Sequence, residues 1–172
     1  MSLVFRKSVK ILLINDNKEL LLMYCKGSTI TKDGTIYSHF WFPIGGGIEK
    51  NETLHEAIIR ELYEETGLKK EQIEIGPIVW HGIFEFIYNG VLTNQDETFV
   101  VVKTKEKAVF LNKLDEWEKK FVDKIRWFSL KQILNCKQII FPIVLPKYLP
   151  DILSENYPKT CLEIDLSKKP KN

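Results

Sequence analysis

Residues 46–68 read GGIEKNETLHEAIIRELYEETGL, a glycine turn running into an amphipathic stretch, and the rest of the chain reads as its surroundings. An α-helix turns by roughly 100° per residue, so Glu64 falls about 60° to one side of Glu61 and Glu65 about 40° to the other. Three carboxylates then share an arc of about 100°. Like charges at this spacing destabilise an isolated helix by about 0.2–0.5 kcal/mol per pair, so the pattern calls for a cation. The helix start is spelled by Thr53 and Glu56, a capping box set before Leu54, Ala57, Ile58 and Leu62. Gly67 supplies the C-terminal stop. Arg60 lies four residues from both Glu56 and Glu64, within ion-pair reach of either, and a guanidinium there can hold a carboxylate in place for a metal.

Gly46, Glu52, Arg60, Glu61, Leu62, Glu64, Glu65, Gly67 and Leu68 resemble the signature of the Nudix (MutT-like) hydrolases at every specified position. Seven identities at fixed spacing arise by chance on the order of once in 10⁸ or 10⁹ windows. The resemblance implies an α/β (α+β) fold, the Nudix α/β/α sandwich with a mixed central sheet. It implies a hydrolase of phosphoric anhydride bonds that uses Mg²⁺ or Mn²⁺. It further implies that the Gly45 carbonyl adds a metal ligand and that Glu52 pairs with Arg60 as support. Two positions depart from the family: Ile44 stands where proline is usual, with Pro43 one residue earlier, and Asn51 replaces a glycine. Both touch loop shape rather than carboxylates.

Hydrolysis of a diphosphate needs positive charge at phosphorus and an oriented water, and clustered carboxylates on a rigid helix suit hard cations that prefer oxygen. Glu61 and Glu65 are expected as the principal ligands, with Glu64 completing the site or bridging a second ion. The general base is sought among box glutamates and later carboxylates. Asp96 and Glu97 open a strand, Glu116 and Glu118 lie in a charged segment, and Glu97 is preferred because strand ends hold position better than loops. Among the aromatics, Trp41 and Trp80 are expected as the stacking surface for a base. His39, His55 and His81 stand isolated, and Lys26, Lys32 and Arg6 are indistinguishable from ordinary surface charge.

The chain has 172 residues, 44% of them hydrophobic and 28% charged, which suits one domain with a substantial core. A formal charge of +2 does not point to nucleic acid, and no apolar run is long enough for a bilayer. The N-terminal residues carry charges within their apolar part and do not read as a secretory signal. Cys25, Cys136 and Cys161, odd in number and widely spaced, spell neither a disulfide framework nor a zinc site; reduced thiols in a cytoplasm are expected. The expected partner is a small nucleotide substrate: a nucleoside triphosphate, a nucleotide sugar such as ADP-ribose, or a dinucleoside polyphosphate. Monomer and homodimer are both open. The alternative reading is a non-catalytic Nudix-like sensor, which would be expected to lose box carboxylates.

In chain order, Ser8–Asn15 and Glu19–Cys25 read as a paired hairpin, and Lys26–Tyr37 as a polar loop. His39–Phe42 is a strand feeding the glycines. Ile73–Trp80 and Ile83–Tyr88 read as two strands, with Asn89–Gly90 a turn before a doubly buried strand at Glu97–Thr104. Leu111–Val122 is irregular, anchored by Trp117 and Phe121. Arg126–Phe128 is expected as the last strand, followed by a short helix capped by Ser129 and a proline-interrupted helix over Pro142–Ser154. One domain is expected over 1–157, with a basic, partly disordered tail over 158–172.

Overall fold

The computed structural model of the chain describes residues 3–116 and 118–170, so the expected anchor Trp117 lies outside the described residues. Strand β1 (Val4–Asn15) lies at the centre of a mixed sheet because both its faces are apolar. Val9, Ile11 and Leu13 point to one side, Leu12 and Ile14 to the other. Its long partner is β5 (Val91–Thr104), parallel from Val4↔Thr93 to Asn15↔Thr104. The expected hairpin with β2 (Leu20–Thr31) is present but short: the two strands pair antiparallel at Ile14↔Leu20. Asn15 sets the turn, its Oδ1 accepting from the N–H groups of Asn17 (2.9 Å) and Glu19 (3.1 Å). Beyond it β2 diverges to pair with β3 (Ile36–Pro43) along one edge and β6 (Val122–Phe128) along the other.

The loop expected at Lys26–Tyr37 is instead two strand ends and a tight turn at 32–35. Its β-branched residues Thr29, Ile30 and Thr31 keep pairing, and Asp33 Oδ1 closes the turn on Thr31 and Thr35. The tip reaches across to β4 (Ile73–Tyr88) at Ile30↔Ile87 and Thr31↔Phe86. β4 itself is continuous, because register shifts on either side of Ile78 absorb Gly76 and Pro77 without ending the strand.

Helix α1 (Leu54–Thr66) covers one face of the sheet, burying Ala57, Ile58 and Leu62 against Val9, Ile11, Val100 and Val102. Truncating such a leucine costs about 2–5 kcal/mol. The short α2 (Glu118–Phe121) leads directly into β6. The opposite face is covered by α3 (Leu130–Leu134) and α4 (Leu145–Leu153), whose Ile133, Leu149 and Ile152 pack with Leu12, Val101 and Phe99. These are the three layers of an α/β/α sandwich.

The tail expected from residue 158 is also corrected. Its lysines hide an apolar alternation: Leu162 and Glu163 form β7, parallel to β4 at Trp80 and His81, while Ile164 and Leu166 are buried. Gly82 is glycine of necessity, since a Cβ there would come within 2.7 Å of the Ile164 carbonyl and Leu166. His81 pins the segment, its Nδ1 meeting Glu163 at 2.8 Å and its Nε2 meeting Asp96. Lys169 then reaches Asp33 on the β2–β3 turn.

Candidate metal and catalytic site

The site grows from the way the glycine turn meets α1. Thr53 and Glu56 exchange the two bonds of a capping box, at 3.2 and 2.8 Å, so the first turn of α1 is set. At the other end Gly67 adopts φ 75° and donates to Tyr63 O. With both ends fixed, Glu61 and Glu65 project one turn apart toward Gly45 and Gly46. A Cβ at Gly46 would lie 2.4 Å from Glu61 Oε1, and one at Gly45 would lie 2.2 Å from Val9 O. Only glycine lets the loop approach this closely, and Gly45 has φ +121° besides.

Arg60 organises the acids. Its Nε and Nη2 donate to the two oxygens of Glu52 at 2.7 and 2.8 Å, Nη2 also reaches Gly47 O at 2.9 Å, and Nη1 donates to Glu61 at 2.8 Å. Glu64 accepts a longer bond at 3.3 Å. Of the two helical partners its spacing allowed, Glu64 is engaged, while Glu56 turns back to cap Thr53. The guanidinium holds the Glu52 carboxyl below the usual carboxylate range, and Glu52 in turn raises Arg60.

Glu61 and Glu65 are only 4% and 2% exposed, and with Glu118 of α2 they bring carboxylate oxygens to within 4.8 Å of one another. Burial raises all three carboxyls above their ordinary range. The rise is large at Glu65, where the Glu61 charge adds to desolvation against one N–H bond from Gly45 at 2.7 Å. Three acids therefore crowd together with one nearby guanidinium, which is already engaged bidentately by Glu52. Buried carboxylates in this condition either stay protonated or take a cation. An all-oxygen donor set of this charge fits Mg²⁺ or Mn²⁺.

In the sequence Glu118 stands among the candidate bases, not among the ligands. Its signal is a second capping box: Asp115 N donates to Glu118 Oε2 at 2.8 Å, and Glu118 N donates to Asp115 Oδ1 at 2.7 Å. Glu64 and Glu97 do not join the trio. Glu64 stays at the half-exposed rim on Arg60. Glu97, preferred in the sequence as the base, is buried with Gln95 Nε2 at 2.7 Å and Lys10 Nζ at 3.7 Å. The stacking surface expected at Trp41 and Trp80 is a correction, because both indoles are core. Trp41 is 2% exposed against Tyr24 and Phe128, and Trp80 is 1% exposed between Phe99 and Tyr148. The half-buried rings of Phe84 and Phe86 are the ones that stack, with centroids 5.5 Å apart and planes 16° off parallel. Among the described residues, no helix is long and apolar enough to cross a membrane.

A glycine turn, a capped helix and an arginine-braced acid cluster on a mixed sheet define a Nudix hydrolase. The chain belongs to the NUDIX domain family, which it matches over residues 4–148, and it is an enzyme of phosphoric anhydride bonds. It is similar to an RNA pyrophosphohydrolase of Shewanella sediminis (strain HAW-EB3), 28% identical over 133 residues that cover 67% of this chain and 73% of the relative. It is also similar to an m7GpppN-mRNA hydrolase of Xenopus laevis, 32% identical over 101 residues that cover 57% of this chain and 32% of that protein. The fold resembles the crystal structure of a MutT protein from Methanosarcina mazei Go1, with a TM-score of 0.61 at 22% identity over 91% of this chain and 98% of the other.

Proposed function

We propose that the enzyme hydrolyses the diphosphate bond of a nucleoside diphosphate linked to another group, with Mg²⁺ or Mn²⁺ held by Glu61, Glu65 and Glu118. The observation that carries this reading is the acid trio, two buried and one half-buried, whose oxygens lie within 4.8 Å of one another and which, among the described residues, has an ion pair only to Arg60. A divalent ion there supplies positive charge to the phosphate oxygens and acidifies a water for attack. The protein's own part is positional. Arg60, locked on Glu52 and Gly47, fixes Glu61, and the Gly45 N–H fixes Glu65. Glu118 arrives from a separate element, so the group is complete only when α2 is docked. Glu64, at the open rim, and Glu118 are the carboxylates from which a proton acceptor can come; Glu97, engaged by Lys10, is not.

The substrate range includes nucleoside triphosphates, nucleotide sugars such as ADP-ribose and dinucleoside polyphosphates. The relatives' names, an RNA pyrophosphohydrolase and an m7GpppN-mRNA hydrolase, add RNA to these candidates. Free thiols at Cys25, Cys136 and Cys161 support a reducing cytoplasm as the setting. A panel of these compounds assayed for released phosphate products, with Mg²⁺, Mn²⁺ and chelator, tests the reading. Metal-dependent turnover of at least one class is expected, and tight nucleotide binding without turnover of any of them would overturn it in favour of a sensor.

A further inference from the structure

The last turn of α1 carries Glu64 and Glu65, and the final carbonyls of a helix find no partner within it. A stretch far along the chain supplies the donors. Phe110 N–H donates to Thr66 O at 3.5 Å and Lys113 N–H to Glu64 O at 2.6 Å. The Asn112 side chain donates through Nδ2 to Tyr63 O at 2.9 Å, beside the Gly67 N–H at 3.0 Å, so both lone pairs of that carbonyl are used. α1 has no basic residue in its last turn, and Lys113 brings a cation to that end, its Nζ 5.1 Å from the Tyr63 ring centroid. Phe110 closes over Gly67, where a Cβ would lie 3.4 Å from its ring.

The same stretch leads to Glu118. Leu114 joins the core beneath α1, the Asp115–Glu118 box turns the chain with Lys119 N–H on Asp115 O at 3.0 Å, and Phe121 ends α2 packed on Gly27 of β2. The fit at Gly27 is tight, since a Cβ there would lie 1.9 Å from Phe121 Cδ1. Glu118 therefore stands between two attachments, one on α1 and one on β2, with a carboxylate oxygen within 4.8 Å of those of Glu61 and Glu65. Asn112 makes the first attachment on the helical turn that holds Glu65 itself. It is exposed, and its bond is to a backbone carbonyl rather than to an acid. Loss of one such bond shifts a local docking equilibrium by roughly two- to tenfold, too little to unfold the domain and enough to be read in ion affinity.

We propose that Asn112 is a positioning residue of the metal centre: its bond to Tyr63 O holds this segment on α1 and thereby holds Glu118 against Glu61 and Glu65. Its effect on the ion passes through Glu118. The inference rests on the metal site of the hydrolase reading above, and adds to it a group that lies outside the acids and outside the glycine turn and helix.

The test follows Mn²⁺ binding to the full chain without substrate, by calorimetry and by the electron paramagnetic resonance signal of the free ion. Wild type is compared with Asn112→Ala, Asn112→Asp, Glu118→Gln and the double variant Asn112→Ala with Glu118→Gln. Alanine removes the donor, while aspartate keeps the shape and turns an acceptor on the Tyr63 carbonyl. Both should weaken Mn²⁺ binding, by up to about tenfold, with aspartate at least as severe as alanine. In the Glu118→Gln background the added Asn112→Ala should change affinity by less than about twofold, because the path from Asn112 to the ion is already cut. Amide exchange in metal-free Asn112→Ala should quicken over residues 113–121 and keep its wild-type rates over residues 55–62 of α1. Wild-type Mn²⁺ affinity in both Asn112 variants, or an equal loss with and without Glu118, would overturn the proposal. An ion site that depends on Glu118 and is indifferent to Asn112 sinks the positioning role and spares the metal reading. Dependence on Asn112 through Glu118, with no turnover of any compound in the substrate panel, sustains the positioning role and sinks the hydrolase. Wild-type binding indifferent to Glu118 removes both.

Discussion

Glu65 carries the conflict on which the site depends. Its carboxyl is raised by burial above an ordinary value of 4.5, so the folded state holds its proton more tightly than the unfolded chain does. The stability this contributes is present below about pH 4.5 and is lost as pH rises through the higher folded value. Metal-free protein should therefore melt at a lower temperature at pH 8 than at pH 5. Glu65→Gln should reduce that slope while abolishing most metal-dependent turnover, on the order of a hundredfold or more. Thermal melts in chelator at the two pH values, with and without added Mg²⁺, check the sign; a wild type stabilised by rising pH would contradict it. Arg60 is the counterpart. Arg60→Ala strands Glu52 and Glu61 together and should cost about 2–3 kcal/mol in urea unfolding, since both lose charge-assisted bonds. Glu97→Gln should leave the pH–rate profile in place whereas Glu118→Gln displaces it, which stopped-time assays across pH would read directly.

At the scale of elements, α1 was almost wholly legible. Its cap, its stop and its acid stripe are local patterns, and the structure places the cap at Thr53 and the stop at Gly67 as the spacing predicts. Thr53→Ala should lower stability by about 1 kcal/mol through loss of the cap, measured in denaturant. Gly46→Ala should instead act on chemistry, because its methyl would collide with Glu61 Oε1; activity should drop with little change in melting temperature. The elements misread were those whose state is decided elsewhere in the chain. Polar Ser28–Thr31 looks like loop until β3 and β4 supply partners on both sides. Trp41 and Trp80 look like ligand aromatics until helices from the C-terminal third bury them. Glu118 could have been found from Asp115, but its approach to Glu61 depends on how the segment before β6 folds back over α1, which no local pattern states.

Across the whole molecule, the first and last described strands are tied to its middle. β1 takes its parallel partner from residues 91–104, and the last described strand sits beside β4 through the His81 contacts. Glu163 and Asp96 raise His81 above its ordinary value of 6.5. The stability of this docking is full below about pH 6.5 and is lost as pH climbs through the raised folded value. Amide exchange at residues 162–166, corrected for its intrinsic pH dependence, should accelerate between mild acid and alkaline solution, and His81→Ala should remove the difference. There is a practical corollary for anyone shortening this protein. Among the described residues β7 and the Ile164 N–H, which donates to His81 O, occupy the backbone hydrogen-bonding edge beside Trp80 and His81, and the Ile164 carbonyl and Leu166 side chain fill the space that Gly82 leaves open. Trimming the sequence ahead of Leu162 would bare a sticky margin, and such a protein should come off a sizing column as dimers and larger species rather than as a better-behaved enzyme.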